Sequence, residues 1–199
     1  GEAGAIGAAL CALERVNAYL WPLGPDTDAE LMADFRSIAE VGEHADPLEI
    51  EGRVIAFRHR AGGIIWLDFD VLCGWGRSQH DYLELAQDFH TVIVSNVPRI
   101  GLSRVDEGRR FTLMVDVFYD NRVKLIVSAE APPEKLLKVE EAAKDARIRA
   151  MRFEFDRTAS RLIEMQSKEY LAEGRRPAWG KPGTMAGTVA PGLIGGHKH

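Results

Sequence analysis

Two cysteines, Cys11 and Cys73, are all that the 199 residues contain. So few in so long a chain do not make a disulfide framework, and no Cys or His pair has zinc-ligand spacing. A reducing compartment is the expected home. Long hydrophobic runs are missing too. No apolar stretch nears the ~20 residues needed to cross a bilayer, and the N-terminus lacks the basic-then-apolar pattern of a secretory leader. It opens Gly1-Glu2-Ala3-Gly4 without a methionine, which reads as a truncated or cut chain. Positive charge is not in excess: 25 Lys and Arg stand against 30 Asp and Glu, for a net charge of −5. Phosphate-backbone binding usually leaves a basic footprint, so nucleic acid is not the expected partner. No Gly-x-x-x-x-Gly-Lys-Ser/Thr string is present. The nearest, Gly174 to Pro182, has its glycines one residue too far apart and a proline where the hydroxyl belongs. A Gly-x-Ser-x-Gly nucleophile turn is absent as well.

What remains is ordinary globular material, 46% hydrophobic and 28% charged, long enough to bury a core. Residues 1–17 are small, apolar and weakly helical, and Tyr19 to Pro25 is extended and stopped by prolines. Asp26 or Thr27 caps a helix to about Val41, with Leu31, Phe35 and Ile38 inward. Leu48 to His59 and Ile64 to Phe69 read as two strands of a hairpin turned by Ala61-Gly62-Gly63. Ser78 opens a helix to about Asp88. Then Thr91 to Ser95 and Arg122 to Ser128, both apolar, flank a helix over Val105 to Asp120 whose Phe111, Met114, Val115 and Phe118 share one side. Two apolar strands joined by such a helix make a βαβ crossover in a parallel sheet. A charged helix is expected from Pro133 to about Arg149 and another from Asp156 to Ala172. The glycine-rich stretch 174–199, without acidic residues, is expected to be disordered.

On the last of these helices, Phe155, Ala159, Leu162, Ile163, Gln166 and Tyr170 fall on one side of the wheel, and Arg157, Arg161, Glu164 and Lys168 on the other. Two guanidiniums one turn apart then face outward. Such a face is solvated surface, paired with Glu164 and nearby acids, or it meets an anion or a partner subunit. Arg110, four residues after Asp106, reads first as half of a helix-surface ion pair, with a role in charge stabilisation as the alternative. Asp68 and Asp70 end an apolar strand, where carboxylates can hold Mg²⁺, but read better as strand-end and turn aspartates. Gly74-Trp75-Gly76-Arg77-Ser78 opens a helix and reads better as a turn than as an anion site. Cys73, near His80 and His90, reads as a buried residue and not as a nucleophile.

Several strings occur together and in order: Phe69-Asp70-Val71-Leu72-Cys73, Asp81-Tyr82-Leu83, Phe89-His90-Thr91-Val92, Val97-Pro98, Arg109-Arg110-Phe111, Val117-Phe118-Tyr119-Asp120, Val123 to Ala129, and Arg157-Thr158-Ala159-Ser160-Arg161-Leu162. From about Tyr19 to Leu171 the chain thereby resembles the C-terminal half of ZapE-type AAA+ ATPases, whose mitochondrial relatives are the lactation-elevated-protein ATPases. The resemblance implies an incomplete P-loop-NTPase-type α/β domain with a β-hairpin, a βαβ unit and a helical C-terminal part. Its expected segments are 1–60, 61–135 for the rear of the ATPase core, 136–173 for the helical part, and the tail 174–199. It implies ATP and Mg²⁺ as cofactors of the full-length protein, held by groups upstream of this chain, with none bound here and no catalytic residue or metal ligand in this part. It makes Arg110, Arg157 and Arg161 the candidates for a nucleotide-facing or intersubunit role. Self-association or a protein client is the expected partnership, in the bacterial cytoplasm, peripherally at the inner membrane, or in the mitochondrion of a eukaryote. The cut sheet is expected to expose the edges of the Val92 and Leu125 strands. A non-enzymatic interaction module presenting Arg157 and Arg161 is the rival reading.

Overall fold

The computed structural model describes residues 12, 13 and 15–174. A five-stranded sheet organises them. Its strands are β1 (Tyr19–Leu20), β7 (Lys124–Ala129), β6 (Thr91–Val97), β5 (Ile64–Asp68) and β4 (His59–Ala61), in that spatial order. The first four run parallel and β4 is antiparallel. Alternation along the strands sends Ile64, Trp66, Ile93 and Ile126 to one face, where they meet Leu31, Phe35 and Ile38 of α1 (Pro25–Ile38). Ile65, Leu67, Val92, Val94, Leu125 and Val127 point to the other face. There they meet α3 (Gln79–Asp88), α4 (Val105–Asp120) and α5 (Ala146–Glu164), while the short α2 (Phe69–Leu72) follows β5 directly. The expected βαβ unit is thus β6-α4-β7.

The expected exposed edges are absent. β7 lies between β1 and β6, and β6 between β7 and β5, so Val92 and Leu125 are buried in the middle of the sheet. A two-residue extended piece, Tyr19–Leu20, pairs with Val127 and Ser128 toward the end of β7.

Two local readings also differ. Leu48 to His59 is not one strand but three: β2 (Leu48–Ile50) and β3 (Arg53–Ile55) form their own hairpin, and only β4 joins the main sheet. Glu51 and Gly52 both have positive φ, 51° and 72°, the conformation of a tight two-residue hairpin turn. From Pro133 to Arg149 there is no continuous helix. Ile100 takes the backbone instead, its N–H donating to the Leu136 carbonyl and its carbonyl accepting from Lys138 N, each at 2.7 Å. Helix restarts only where the Asp145 carboxylate accepts from Arg147 N at 2.7 Å, an N-cap, and α5 then runs unbroken through the expected gap before Asp156. It stops at Glu164. The Ser167 hydroxyl accepts from Tyr170 N to start a separate α6 (Lys168–Ala172). The buried stripe of α5 centres on Ile148, Met151, Phe155, Thr158 and Leu162, which leaves Ile163, expected inward, 54% exposed. Residues 1–11, 14 and 175–199, which hold all of the expected tail but Gly174, lie outside the described residues.

Candidate functional site: an arginine pair on parallel helices

α4 and α5 lie side by side and run in the same direction. A β-carbon on Gly108 would meet Met151, Phe111 stacks on Phe155 with ring centroids 6.4 Å apart, and the Tyr119 hydroxyl donates to Glu164 at 2.8 Å. Between the last two contacts sits Asp116. Its Oδ2 accepts from Arg157 Nη2 at 3.1 Å and its Oδ1 from Arg161 Nη1, so one carboxylate of α4 holds both guanidiniums of α5. Neither arginine pairs with Glu164, which is turned to Tyr119.

The two arginines are not equivalent. The Arg161 guanidinium also lies over the Tyr119 ring at 4.8 Å, and its side chain is 23% exposed against 56% for Arg157. Arg161 is therefore a cross-link between helices, held by charge and by the ring's π-face. Arg157 has one partner and an open guanidinium edge. The cross-link continues into α6: Tyr119 stacks on Tyr170 at 6.1 Å, and Arg122 lies over both rings and pairs with Glu173 at 3.2 Å. Arg161→Ala is expected to cost about 1–2 kcal/mol in urea unfolding, and Arg157→Ala under about 0.5 kcal/mol. Equal losses would contradict the asymmetry.

Arg110 is elsewhere. It sits nearer the start of α4, six residues before Asp116 and so about 9 Å along the axis. Among the described residues no ion pair joins it to Asp106; its Nη1 donates to the Cys73 carbonyl at 3.2 Å. The structure thus brings Arg157 and Arg161 together and leaves Arg110 apart. Cys73 is fully buried, and burial pushes its thiol well above the usual range, which disqualifies it as a nucleophile. His80 lines a groove with Glu51 and Glu84, while His90 bonds Thr91, so no Cys-His arrangement forms.

Asp68 and Asp70 part company as well. Asp70 is 79% exposed and reaches Arg104 at 3.5 Å. Asp68 closes the carboxyl edge of the sheet. Its Oδ1 accepts from Ser95 Oγ at 2.7 Å and Asn96 Nδ2 at 3.0 Å, and its Oδ2 from Arg58 Nε at 2.9 Å. Partial burial would raise this carboxyl; the bonds from Arg58, Ser95 and Asn96 outweigh it and hold Asp68 below its ordinary value. Both oxygens are engaged by protein donors. Among the described residues no group of three or more His, Cys, Asp or Glu is placed to hold a metal ion.

Helix starts are where backbone amides gather phosphates, yet each long helix here opens on carboxylates: Asp26 and Asp28 in α1, Asp81 in α3, Asp106 and Glu107 in α4, the Asp145 cap in α5. The turn Gly74 to Ser78 is sealed in this way, because Ser78 N donates to Asp81 Oδ2 at 2.6 Å.

A sequence profile described as AFG1-like ATPase matches residues 4–174. The chain belongs to the AFG1-like ATPase family. Its mixed α/β architecture around a largely parallel sheet is consistent with a P-loop-NTPase-type domain. Among relatives of this family, Cell division protein ZapE of Escherichia coli (strain K12) is 39% identical over 159 residues, covering 77% of this chain and 40% of that protein. Lactation elevated protein 1 homolog B of Danio rerio is 35% identical over 152 residues, 65% of this chain and 30% of that protein. The chain therefore spans well under half the length of these AFG1-like relatives. No solved structure matches it. Asp116 and Tyr119, which fix the arginine pair, were not singled out from sequence. Their only signal is the near-constant offset between α4 and α5, which requires knowing that the two helices pack in parallel.

Proposed function

We propose that this chain is the rear part of an ATP hydrolase linked to cell division, or in a eukaryote to mitochondrial protein quality control, and that it contributes Arg157 at a nucleotide anion or a neighbouring subunit. Family membership supports the ATPase reading. The observation that carries the site is the asymmetry at Asp116: Arg161 is spent on the fold, and Arg157 is oriented by the same carboxylate yet exposed. ATP and Mg²⁺ would be held by groups of the full-length protein outside the described residues, and the chain alone would not hydrolyse ATP. In this reading residues 1–60 are an N-terminal segment with a helix and the first hairpin strand, 61–135 the rear of the ATPase α/β core, and 136–173 a helical C-terminal part. Its setting would be the bacterial cytoplasm, peripherally at the inner membrane, or the mitochondrion. Among the described residues no helix is long and apolar enough to cross a membrane.

The test is steady-state ATP hydrolysis by the full-length protein and by residues 1–199, with Arg157→Ala in the full-length background. Turnover is expected from the full-length protein alone, falling about tenfold or more in the variant, because an arginine at a developing phosphoryl charge acts on kcat. Hydrolysis by residues 1–199 at the full-length rate, or unchanged turnover in Arg157→Ala, would sink the proposal. One observation favours the interaction-module reading: Phe153, one turn before Arg157, is 83% exposed, and an aromatic beside an arginine is the usual make-up of a binding hot spot. That reading requires Phe153→Ala to abolish partner capture while full-length turnover stays intact.

A further inference from the structure

Between α5 and the turns that follow β7 runs a groove of about 290 Å³. Its floor is apolar, with Leu137, Phe155 and Ala159 all buried. Ile163, expected inward from the sequence, also lines it and is 54% exposed. The only charged side chains in the lining are Glu134 and Asp156, and no basic residue joins them. Neither carboxylate has an ion-pair partner among the described residues. An apolar cleft with two unanswered negative charges suits a ligand that is both apolar and cationic.

The chain carries a segment of that make-up. Past Gly174, where the described residues end, come Arg175-Arg176-Pro177-Ala178-Trp179-Gly180-Lys181. One large aromatic lies between cations, and residues 175–199 contain no Asp or Glu. Tryptophan and arginine carry binding energy out of proportion to their number. The tether is long enough as well. From Ile163 to Gly174 the chain runs through the end of α5 and through α6, at about 1.5 Å per helical residue, so Gly174 stays within about 20 Å of Ile163. The five residues on to Trp179 span up to about 17 Å before the length of the indole is added.

We propose that residues 175–181 fold back into this groove, with Trp179 on Leu137, Phe155 and Ala159 and the flanking cations answering Glu134 and Asp156. A tethered ligand needs little affinity of its own. A short linker gives an effective concentration near ~1 mM, so an intrinsic Kd of ~0.1 mM fills the groove about nine-tenths of the time. A segment held in this way closes the groove, and an outside peptide with an aromatic between cations must displace it to bind. Such docking requires neither ATP nor a second copy.

Limited chymotrypsin digestion of the 199-residue chain, read by mass spectrometry, tests this, because the bond after Trp179 is cut only while the segment is undocked. Cleavage after Trp75, 91% exposed and outside this groove, is the internal reference. Glu134→Lys with Asp156→Lys is expected to speed cleavage after Trp179 about fivefold or more, and Ile163→Asp about threefold or more, with cleavage after Trp75 unchanged. Should the double variant not fold by circular dichroism, Ile163→Asp, a change at an exposed side chain, carries the comparison alone. In the parent, the rate after Trp179 should be the same at about 1 and about 100 µM protein, since a tethered ligand does not depend on concentration. A labelled peptide of residues 174–183 should bind the Trp179→Ala chain at least about fivefold more tightly than the parent, whose groove is occupied. Equal cleavage after Trp179 in the parent and the groove variants would overturn the proposal. So would a peptide that binds neither chain or binds both equally. Protection that grows with protein concentration would do so too, because a second copy would then fill the groove.

Discussion

Replacing Asp81 with alanine is expected to cost the fold about 3–5 kcal/mol, because it breaks a buried charge cluster from its centre. The Asp81 side chain is wholly buried. Oδ2 accepts from Ser78 N at 2.6 Å and fixes the start of α3. Oδ1 faces Arg53 at 3.5 Å and Arg77 at 3.6 Å. The Arg77 side chain is only 13% exposed, so without Asp81 its charge stays in the protein with little to neutralise it. Arg53 belongs to β3, and its pairing with Asp81 and with the Gly76 carbonyl ties the small hairpin to the body of the protein. Asp81→Asn keeps an acceptor for Ser78 N while losing the charge, and should cost roughly half as much. Urea unfolding of both variants measures the difference as a shift in midpoint at constant m-value. A loss under about 1 kcal/mol for alanine would show that water or the Val71 carbonyl satisfies Arg77 unaided.

Where residue pattern and local chemistry coincide, the sequence was readable. Thr91 to Asp120 is such a place: an apolar run, then Phe111, Met114, Val115 and Phe118 at helical spacing, then a second apolar run. The structure returns β6, α4 and β7 almost as expected. What failed was decided by partners distant in sequence. The Pro133–Arg149 stretch has helical composition, but Ile100 claims the backbone of Leu136 and Lys138 from more than thirty residues away. The Leu48–His59 run has strand composition, but the left-handed pair Glu51-Gly52 folds it back on itself. The candidate site shows the same division. Arg157 and Arg161 were visible as neighbours one turn apart. That one is a cross-link and the other exposed depends on Asp116 and Tyr119, forty-odd residues earlier on another helix.

Lys124→Met is expected to flatten a rise in stability with pH that the parent shows above about pH 8. Lys124 is a lysine inside the protein, 4% exposed, with Nζ donating to the Tyr170 carbonyl at 2.5 Å and lying 4.5 Å from the Tyr170 ring. Burial pulls its pKa from 10.5 down to about 8; the Glu173 carboxylate works against the shift, and the Arg122 charge adds to it. The sign follows from counting protons. Below pH 8 the amine is charged in both states and stability does not change on its account. Between about 8 and 10.5 the folded protein has released a proton that the unfolded chain still holds, so folding gains as pH rises. Up to about pH 9.5 the gain amounts to about 2 kcal/mol. Higher pH adds an opposite trend, since the buried phenols of Tyr19, Tyr82 and Tyr170 are pushed up by burial and hold protons the unfolded chain loses near 10. The useful window therefore closes there. Methionine has similar length and no charge, and the Tyr170 carbonyl keeps the Glu173 N–H as a donor at 3.1 Å. The variant should match or exceed the parent at pH 7, because an apolar group replaces a buried charge. Parallel pH profiles for parent and variant, from urea midpoints at pH 7 to about 9.5, would mean that Lys124 keeps its ordinary protonation and that its amine reaches water in solution.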